Sequence, residues 1–320
     1  MNRPPALSIV VPARNAERFL AATLESIRAQ TVQDWECIVV DDGSTDGTAA
    51  IARRQAAEDA RFRVIGQPQA GASEARNRGS REITSQAEYL TFMDSDDLWL
   101  PDALAILRGE LARHPESPGV HGLAEQIDEA GRPHEPGAFP DFGRGRLGCR
   151  DRRIVAWPRS EPTTFATLLI GNRVFPQGLL LMRRAHFVQA GGYDASVRLV
   201  EDWDMLLRLS RLGDIRFVDR VILHYRRHAG NMSTENYRAN REAARMMHHR
   251  IFFARENDER QQALLRVTWR AWQAYLAQQT WREMRHDLRQ GRLDRAPRGL
   301  AHLYVQLHRY LRGYPTLHGL

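Results

Sequence analysis

Two pairs of carboxylates stand where two apolar, β-branched runs of the chain end. Asp41 and Asp42 end the first run, and the sequence Asp94-Ser95-Asp96-Asp97 ends the second. An unpaired carboxylate is costly inside a buried strand, whereas open α/β sheets bind ligands at the carboxyl ends of their strands. Two acidic strand ends in one domain therefore favour a site for a base–ribose group and a metal-bound diphosphate.

The acidic cluster at residues 94–97 suits a hard divalent cation. Mg²⁺ or Mn²⁺ takes oxygen ligands and is commonly held by one or two carboxylates together with substrate phosphates. Such a metal acts as a Lewis acid on a leaving diphosphate. A solvated turn or a helix cap is the simpler explanation, but the cluster follows a strand and precedes a helix that starts at Pro101. This context favours the functional interpretation.

The segment Asp41–Gly47 contains acidic, glycine, serine and threonine residues. A carboxylate here can accept the N3–H of uracil, and a second can hold ribose hydroxyls. A turn followed by a helix cap explains the same residue types. The two interpretations are compatible, because Ser44 or Thr45 can cap the next helix while Asp42 faces a ligand.

Three further groups are candidates for chemistry. Arg76 could bind a phosphate in bidentate fashion, although a surface arginine explains it equally simply. Asp202, with Glu201 at a predicted helix start, could take the proton of an acceptor hydroxyl, and the helix N-terminus favours its ionised form. Acidic residues also prefer helix starts for stability alone. His228 could complete the metal shell, but a lone histidine is more often a packed or surface residue.

The elements that position these residues alternate between strands and helices. Apolar runs predict strands, and the periodic segments between them predict helices. The runs that predict strands lie at residues 7–11, 36–40, 63–65, 89–93, 215–218 and 221–225. Ordered structure is also expected near residues 165–170 and 179–182, and a helix is predicted to begin at Glu201. This order predicts an α/β domain with a mainly parallel sheet and helices on both faces.

Several motifs in this order resemble the family 2 glycosyltransferases of the GT-A fold. The matching segments are Val11–Asn15, Gln30-Thr31, Val40–Ser44, Ala75–Gly79, Asp94–Asp96, Gly191–Asp194 and Glu201-Asp202. The resemblance covers roughly residues 6–235. It implies a GT-A (Rossmann-like) domain that moves a sugar, with inversion, from a nucleotide-diphospho-sugar to a hydroxyl acceptor. A UDP-sugar donor, Mn²⁺ or Mg²⁺, and a bacterial polysaccharide or glycolipid product are further implications.

The resemblance also implies a role for each matched residue. Asp42 would contact the base, Asp94 would lie near the ribose, Asp96 would bind the metal, and Asp202 would be the general base beside Glu201. The remaining implied positions are Pro12, Arg14, Asp41, Arg76 and Ser95 around the nucleotide and His228 as a metal ligand. One departure is Arg14, where an aromatic residue is usual; a guanidinium plane can also stack on a base.

Two segments depart from the alternating pattern. Residues 128–162 are dense in glycine, proline and arginine, and we expect a mobile loop there, inside a glycosyltransferase domain at residues 1–235. Residues 236–320 are expected to form a basic helical region with amphipathic stripes at Leu265–Leu276 and Leu300–Leu311. All 46 basic residues are arginines, and residues 241–320 hold 15 of them against seven acidic residues.

Composition leaves several alternatives open. A non-catalytic nucleotide-sugar binding or scaffold protein on the same fold is the first, although its acidic site residues are intact. A pI of about 10.0 would suit a nucleic-acid binder, but no reading motif is present, so no nucleic acid is expected. The tail helices could lie on an anionic membrane, or pack on the catalytic domain or on a second subunit of an oligomer.

The start of the chain and its cysteines bear on location. Residues 1–5 lead directly into a strand without the apolar stretch of a signal peptide, and no apolar run approaches the ~18 residues that span a bilayer. Cys37 and Cys149 do not form a disulfide framework. We therefore expect a cytoplasmic protein, with peripheral contact at the inner face of the membrane and a glycan or lipid-linked acceptor.

Overall fold

The computed structural model of the 320-residue chain describes residues 5–84, 86–134, 146–150, 153–172, 174–197, 199–231, 247, 250–251, 254–292 and 296–312. The chain divides into two compact units. The first comprises residues 1–145, 158–165 and 172–244, and the second comprises residues 146–157, 166–171 and 245–320. The residues expected to carry chemistry all belong to the first unit.

The strands are β1 Leu7–Ala13, β2 Trp35–Asp42, β3 Phe62–Gln67, β4 Tyr89–Phe92, β5 Leu98–Trp99, β6 Gly119–Ile127, β7 Leu147–Arg150, β8 Arg153–Ala156, β9 Leu180–Arg183 and β10 Arg216–Arg226. Eight of them form one sheet in the order β3-β2-β1-β4-β9-β6-β10-β5. β9 runs antiparallel to β4 and β6, and β5 runs antiparallel to β10. The other neighbouring pairs are parallel, so the predicted mainly parallel sheet is confirmed.

The helices are α1 Leu20–Arg28, α2 Thr48–Glu58, α3 Ala72–Arg81, α4 Ala103–Arg113, α5 Phe165–Leu168, α6 Arg184–Gln189, α7 Glu201–Leu209, α8 Glu259–Arg289 and α9 Ala296–Arg312. The periodic residues of α1, which are Leu20, Thr23, Leu24 and Ile27, are buried. The helix predicted to start at Glu201 does start there. Local sequence patterns are therefore sufficient to predict α1 and α7.

Helix α3 lies very close to the centre of the sheet. A side chain added at Gly79 would overlap Cγ1 of Val10 on β1 and would approach Cγ2 of Val40 on β2 at 3.0 Å. Glycine therefore permits the helix to rest directly on these two strands. The contact fixes the orientation of Arg76, which lies three residues earlier on the same helix.

Some elements were not predicted. β6 has the sequence Gly-Val-His-Gly-Leu-Ala-Glu-Gln-Ile, which lacks a strand pattern. Its Gly122 is required by packing, because an added Cβ would lie 2.8 Å from Cγ1 of Ile222. The predicted strands at residues 215–218 and 221–225 are one strand, β10, with irregular register between Phe217 and Leu223. β7 and β8, both inside the predicted loop, pair antiparallel in what we call the β7–β8 hairpin.

The second unit contains the β7–β8 hairpin and the two long helices. α8 packs against α9 and against β8. Gln306 Oε1 accepts a hydrogen bond from Thr280 Oγ1 at 3.1 Å, and a Cβ on Gly299 would lie 3.2 Å from the sulfur of Met284. No helix among the described residues is long and apolar enough to cross a membrane.

Candidate active site

The two acidic strand ends meet at one edge of the sheet, as predicted. β2 and β4 both run parallel to β1, which lies between them. Asp41 and Asp42 end β2, and residues 94–97 follow β4. Pro12 and Ala13 at the end of β1 pair with Val40 and Asp41. Three strand ends therefore form the floor of the site.

Asp42 connects β2 to the loop before α3. Its side chain is only 3% exposed. Oδ1 accepts hydrogen bonds from Gln67 Nε2 at 2.8 Å and from the Ala70 N–H at 2.7 Å, and Oδ2 accepts the Gly71 N–H at 2.8 Å. A carboxylate has about four lone-pair positions, so one acceptor position remains available at Oδ2.

The turn after β2 is fastened to the segment after β1. The Asn15 N–H donates to Ser44 Oγ at 3.0 Å, and Asn15 Oδ1 accepts the Thr45 N–H at 2.9 Å. Asn15 therefore binds this turn through both its backbone and its side chain. The predicted cap of α2 by Ser44 or Thr45 is replaced, because Asp46 Oδ1 accepts the Thr48 N–H at 3.0 Å. Asp46 takes this place because its side chain lies two residues before the donating Thr48 N–H.

Asp41 and Arg14 are the more accessible of the positions expected around a nucleotide. Asp41 Oδ1 accepts the Ser44 N–H at 3.0 Å, and its side chain is half-buried. Arg14 is exposed after the end of β1. Ser95, between two carboxylates, is half-buried. Each of these residues lies at or shortly after the end of β1, β2 or β4.

Arg76 is a buried ion-pair centre. It is 4% exposed, and its two terminal nitrogens bind Asp94 Oδ1 at 2.8 Å and Glu201 Oε1 at 3.1 Å. Its guanidinium carbon lies 5.2 Å from the centroid of the Tyr193 ring. The simpler expectation of a surface arginine is therefore wrong. Burial opposes the charge, but Asp94, Tyr193 and Glu201 outweigh it and raise the pKa of Arg76.

Asn77, the next residue, holds the Gly191–Asp194 turn. Its Nδ2 donates to the Tyr193 carbonyl at 2.8 Å, and its Oδ1 accepts the Tyr193 N–H at 2.9 Å. The Tyr193 hydroxyl donates to Gln177 Oε1 at 2.7 Å. The Ala75–Gly79 motif therefore connects Asp94, which follows β4, with Glu201 at the start of α7. Arg76 forms ion pairs with both carboxylates. Asn77 binds the turn at Tyr193, and Gly79 packs closely on β1 and β2.

Asp202 lies at the start of α7 with each carboxylate oxygen bound to a donor. Asn172 Nδ2 donates to Oδ2 at 2.7 Å, and the Trp203 N–H donates to Oδ1 at 2.7 Å. Burial and the neighbouring Glu201 raise the pKa of Asp202 to about 7. The helix N-terminus is expected to favour the ionised form of Asp202. Removal from water and the second carboxylate at Glu201 oppose the charge more strongly, so the pKa is raised. No sequence signal identified Asn172.

Asp96 and His228 converge on one point. His228 Nε2 and Asp96 Oδ2 are 2.9 Å apart. Asn231 positions the histidine: its Oδ1 accepts the His228 N–H at 2.6 Å, and its Nδ2 donates to the Arg226 carbonyl at 3.1 Å. The Phe19 ring lies 4.7 Å from the imidazole. The Asp96 carboxylate is the kind of ligand that suits Mn²⁺ or Mg²⁺, and the His228 imidazole would add one nitrogen ligand.

The metal would not be enclosed by protein ligands alone. In the described parts of the chain, no group of three or more His, Cys, Asp or Glu side chains could hold a metal ion. The pair Asp96–His228 therefore fits a metal whose remaining ligands are water and substrate phosphates.

Asp97 has a structural role. It is fully buried, and its Oδ1 accepts the Arg226 N–H at 2.9 Å. Burial and the adjacent Asp96 raise the pKa of Asp97. The Arg226 guanidinium donates to the Asp96 carbonyl at 3.0 Å and to the Glu129 carbonyl at 2.8 Å. Arg226 therefore fixes the backbone at Asp96 and the turn that follows β6.

Residues 8–187 match the family model described as glycosyl transferase family 2. The chain belongs to this family. Among curated proteins, it is 27% identical over 241 residues to chondroitin synthase of Escherichia coli, covering 73% of this chain and 30% of that protein. It is 25% identical over 234 residues to hyaluronan synthase of Pasteurella multocida, covering 73% and 22%. This family 2 chain thus spans less than a third of these relatives' length.

Solved structures show the same fold. Staphylococcus aureus TarS 1–349 in complex with UDP-GlcNAc matches with a TM-score of 0.62 at 15% identity, over 96% of this chain and 91% of that chain. The mannosyltransferase PcManGT from Pyrobaculum calidifontis, in complex with GDP-Man and Mn²⁺, matches with a TM-score of 0.59 at 18% identity, over 97% and 88%. The GT-A fold and the helical C-terminal region predicted for this family 2 member are confirmed.

Proposed function

We propose that this family 2 member is an inverting glycosyltransferase that moves a sugar from a nucleotide-diphospho-sugar to a hydroxyl acceptor. The proposed donor is a UDP-sugar. The observation that carries the proposal is the geometry of Asp202. Donors from two separate segments orient its oxygens, and its pKa is raised to about 7. A base with a pKa near the working pH combines adequate ionisation with strong proton affinity.

The proposed reaction is a single displacement. The Asp202 carboxylate takes the proton of the acceptor hydroxyl, and the acceptor oxygen attacks the anomeric carbon. The bond between that carbon and the diphosphate oxygen breaks with its electron pair on the diphosphate, and Asp202 later returns its proton to water. Mn²⁺ or Mg²⁺ held by Asp96 and His228 would supply positive charge to the leaving diphosphate.

The donor side rests on the strand ends. Asp42 retains an acceptor position at Oδ2 for the N3–H of uracil, and Asp94 and Ser95 lie near the ribose. Pro12, Arg14 and Asp41 complete the surroundings of the base. Arg76 forms ion pairs with Asp94 and Glu201. Its effect on nucleotide binding would therefore be indirect, through the charge and position of these carboxylates. Similar structures hold UDP-GlcNAc in one case and GDP-Man with Mn²⁺ in another. The preference for uracil over guanine is therefore tested by nucleotide titration.

The acceptor and location extend the same proposal. Similarity to chondroitin and hyaluronan synthases supports a role in bacterial polysaccharide or glycolipid synthesis, with a glycan or lipid-linked acceptor. The protein would work in the cytoplasm and contact the inner face of the membrane peripherally, through residues 236–320. The glycosyltransferase domain would be residues 1–235.

The first experiment is calorimetric titration with UDP, GDP and dTDP, in Mn²⁺ and then in EDTA. We expect metal-dependent UDP binding that is lost in Asp96→Ala. Binding of GDP or dTDP instead would retain the mechanism and contradict the role given to Asp42. A folded sample that binds no nucleotide would favour the alternative of a scaffold protein.

The second experiment separates binding from chemistry. Asp202→Asn retains the shape of the side chain and removes the base, so nucleotide binding should persist while the transfer rate falls by about 10²–10⁴-fold. Near wild-type transfer by this variant would contradict the base assignment. The transfer rate is to be measured with UDP-linked hexoses, N-acetylhexosamines and uronic acids as candidate donors.

A further inference from the structure

The apolar stripe of α9 faces outwards. Leu300 is 55% exposed, Tyr304 70%, Leu307 48% and Leu311 77%. Their spacing of four, three and four residues places them along one side of the helix. The side of α9 that contacts α8 is formed elsewhere, at Gly299 and Gln306. The most apolar side of this amphipathic helix is therefore not the side buried within its own unit.

Helix α8 extends this apolar surface. Trp281 is 47% exposed and Leu288 is 41% exposed. They lie three residues before and four residues after Met284, the residue closest to Gly299 of α9. Residues three and four apart share one side of a helix, so both flank the contact with α9. We call the six residues Trp281, Leu288, Leu300, Tyr304, Leu307 and Leu311 the tail surface.

The helical segment that carries this surface has a net positive charge. Residues 296–312 contain three arginines and no acidic residue, and residues 241–320 contain 15 arginines against seven acidic residues. A second copy docked on the same surface would bring two such positive segments together, which electrostatic repulsion opposes. An anionic lipid surface complements both properties, because apolar side chains enter the acyl boundary while arginines meet the headgroups.

We infer that the tail surface is a membrane-contact site that inserts Trp281, Leu288 and the α9 stripe into the interface of an anionic bilayer. The inference deepens the proposed peripheral location and names the residues that make the contact. Interfacial helices that bind in this way combine an apolar side with basic residues, and tyrosine and tryptophan are favoured at the headgroup level.

Flotation of the full chain with vesicles tests the inference. Vesicles of equal parts phosphatidylcholine and phosphatidylglycerol should carry the protein upwards at low salt, and vesicles of phosphatidylcholine alone should carry much less. The combined substitution Leu300→Gln, Tyr304→Gln, Leu307→Gln and Leu311→Gln should reduce binding by about tenfold or more, since each removes apolar burial. All four residues are exposed, so the fold should persist by circular dichroism.

Val188→Gln is the matched control. Val188 is 66% exposed on α6, in the first unit, and its substitution should leave flotation unchanged. Failure of the wild-type chain to float, or equal flotation of the fourfold variant, would overturn the inference. A concentration-dependent dimer that the fourfold variant loses, without lipid binding, would also overturn it and assign the tail surface to a second copy.

The donor chemistry is tested separately. Nucleotide titration of the fourfold variant should match the wild type, because none of its changes lies at the strand ends that form the site. Loss of transfer in Asp202→Asn with normal flotation would separate the two activities. Normal flotation with no nucleotide binding would contradict the proposed glycosyl transfer and leave the membrane contact intact.

Discussion

Asn172 Nδ2 donates a hydrogen bond to Asp202 Oδ2 at 2.7 Å. The Asn172 side chain is itself anchored, because its Oδ1 accepts the Val174 N–H at 2.8 Å. The other oxygen of Asp202 accepts the Trp203 N–H at 2.7 Å. The carboxylate plane is therefore set by two donors from segments far apart in sequence, and each oxygen keeps a lone pair for an acceptor hydroxyl.

Asn172→Ala should slow transfer without weakening nucleotide binding. The amide N–H favours the ionised form of Asp202, so its loss should move the acidic limb of the pH–rate profile to higher pH. Misplacement of the base should also reduce kcat, by up to about 10²-fold. The charged groups that surround Asp202 are Glu201, Arg76 and Asp94, and all remain in the variant. An unchanged pH profile would show that the contact has no catalytic consequence.

Asp202 should also make stability depend on pH. Its folded pKa of about 7 lies above the ordinary value of 3.8. Between these values the folded chain holds more protons than the unfolded chain, so the contribution to the free energy of unfolding falls as pH rises and stays lost above about 7. Asp202→Asn should therefore raise Tm, relative to the wild type, more at about pH 8 than at about pH 5. A pH-independent Tm difference in thermal scans would argue against the raised pKa.

Arg76→Gln should be strongly destabilising. It leaves Asp94 and Glu201 without their shared partner, and breaking a buried ion pair costs about 3–5 kcal/mol. Arg78→Gln is a control on the same helix, where an exposed pair with Glu82 at 2.9 Å contributes about 0–1 kcal/mol. Urea unfolding of both variants gives the comparison. Equal losses would mean that the Arg76 pairs contribute no more than a surface pair.

Two glycine substitutions in helices should have opposite effects. Gly79→Ala places a methyl group against Val10 on β1, and overpacking of this kind costs about 1–3 kcal/mol. Gly109→Ala in α4 meets only Arg113 Nη2 at 3.9 Å, so the higher helix propensity of alanine should stabilise by about 0.5–1 kcal/mol. Denaturant midpoints decide the signs. A neutral Gly79→Ala would show that α3 can move away from the sheet.

Asn231→Ala should weaken the metal site without removing a ligand. The histidine would lose the Asn231 side chain that fixes its backbone, and loss of such support typically reduces metal affinity by about 10–100-fold. Titration of Mn²⁺ in the presence of nucleotide, followed by electron paramagnetic resonance, measures the affinity directly. His224→Ala on the same strand β10 should retain wild-type affinity. Equal weakening in both variants would point to a general disturbance of β10.

Short-range patterns were enough to predict the frame of the site. The apolar runs before Asp41 and Asp94 are strands, and their carboxyl ends meet because β1 lies between them. The start of α7 at Glu201 also followed from local sequence. Each of these features depends on a few consecutive residues, for which periodicity and turn chemistry suffice.

Long-range contacts were not predictable in the same way. Arg76 looked like a surface residue of α3, and only tertiary packing places it between Asp94 and Glu201. Asn172 stands alone in a segment without periodicity, so nothing local indicates its bond to Asp202. β6 was missed because Gly119 and Gly122 serve close packing with Leu181 and Ile222, and glycine lowers strand propensity.

The Arg76–Glu201 pair has a consequence for biosynthesis. The two residues are 125 positions apart, and a nascent chain that ends at residue 187 contains the whole family match but lacks α7. In such a chain the Arg76 guanidinium would lack the Glu201 carboxylate, one of its two ion-pair partners. The nine residues of α7 include both Glu201, which pairs with Arg76, and Asp202. Folding of this helix therefore completes the buried ion pairs and places Asp202 in the site at the same time. Incomplete chains should therefore be poorly folded and open to proteolysis, so that a folded molecule without its base does not accumulate.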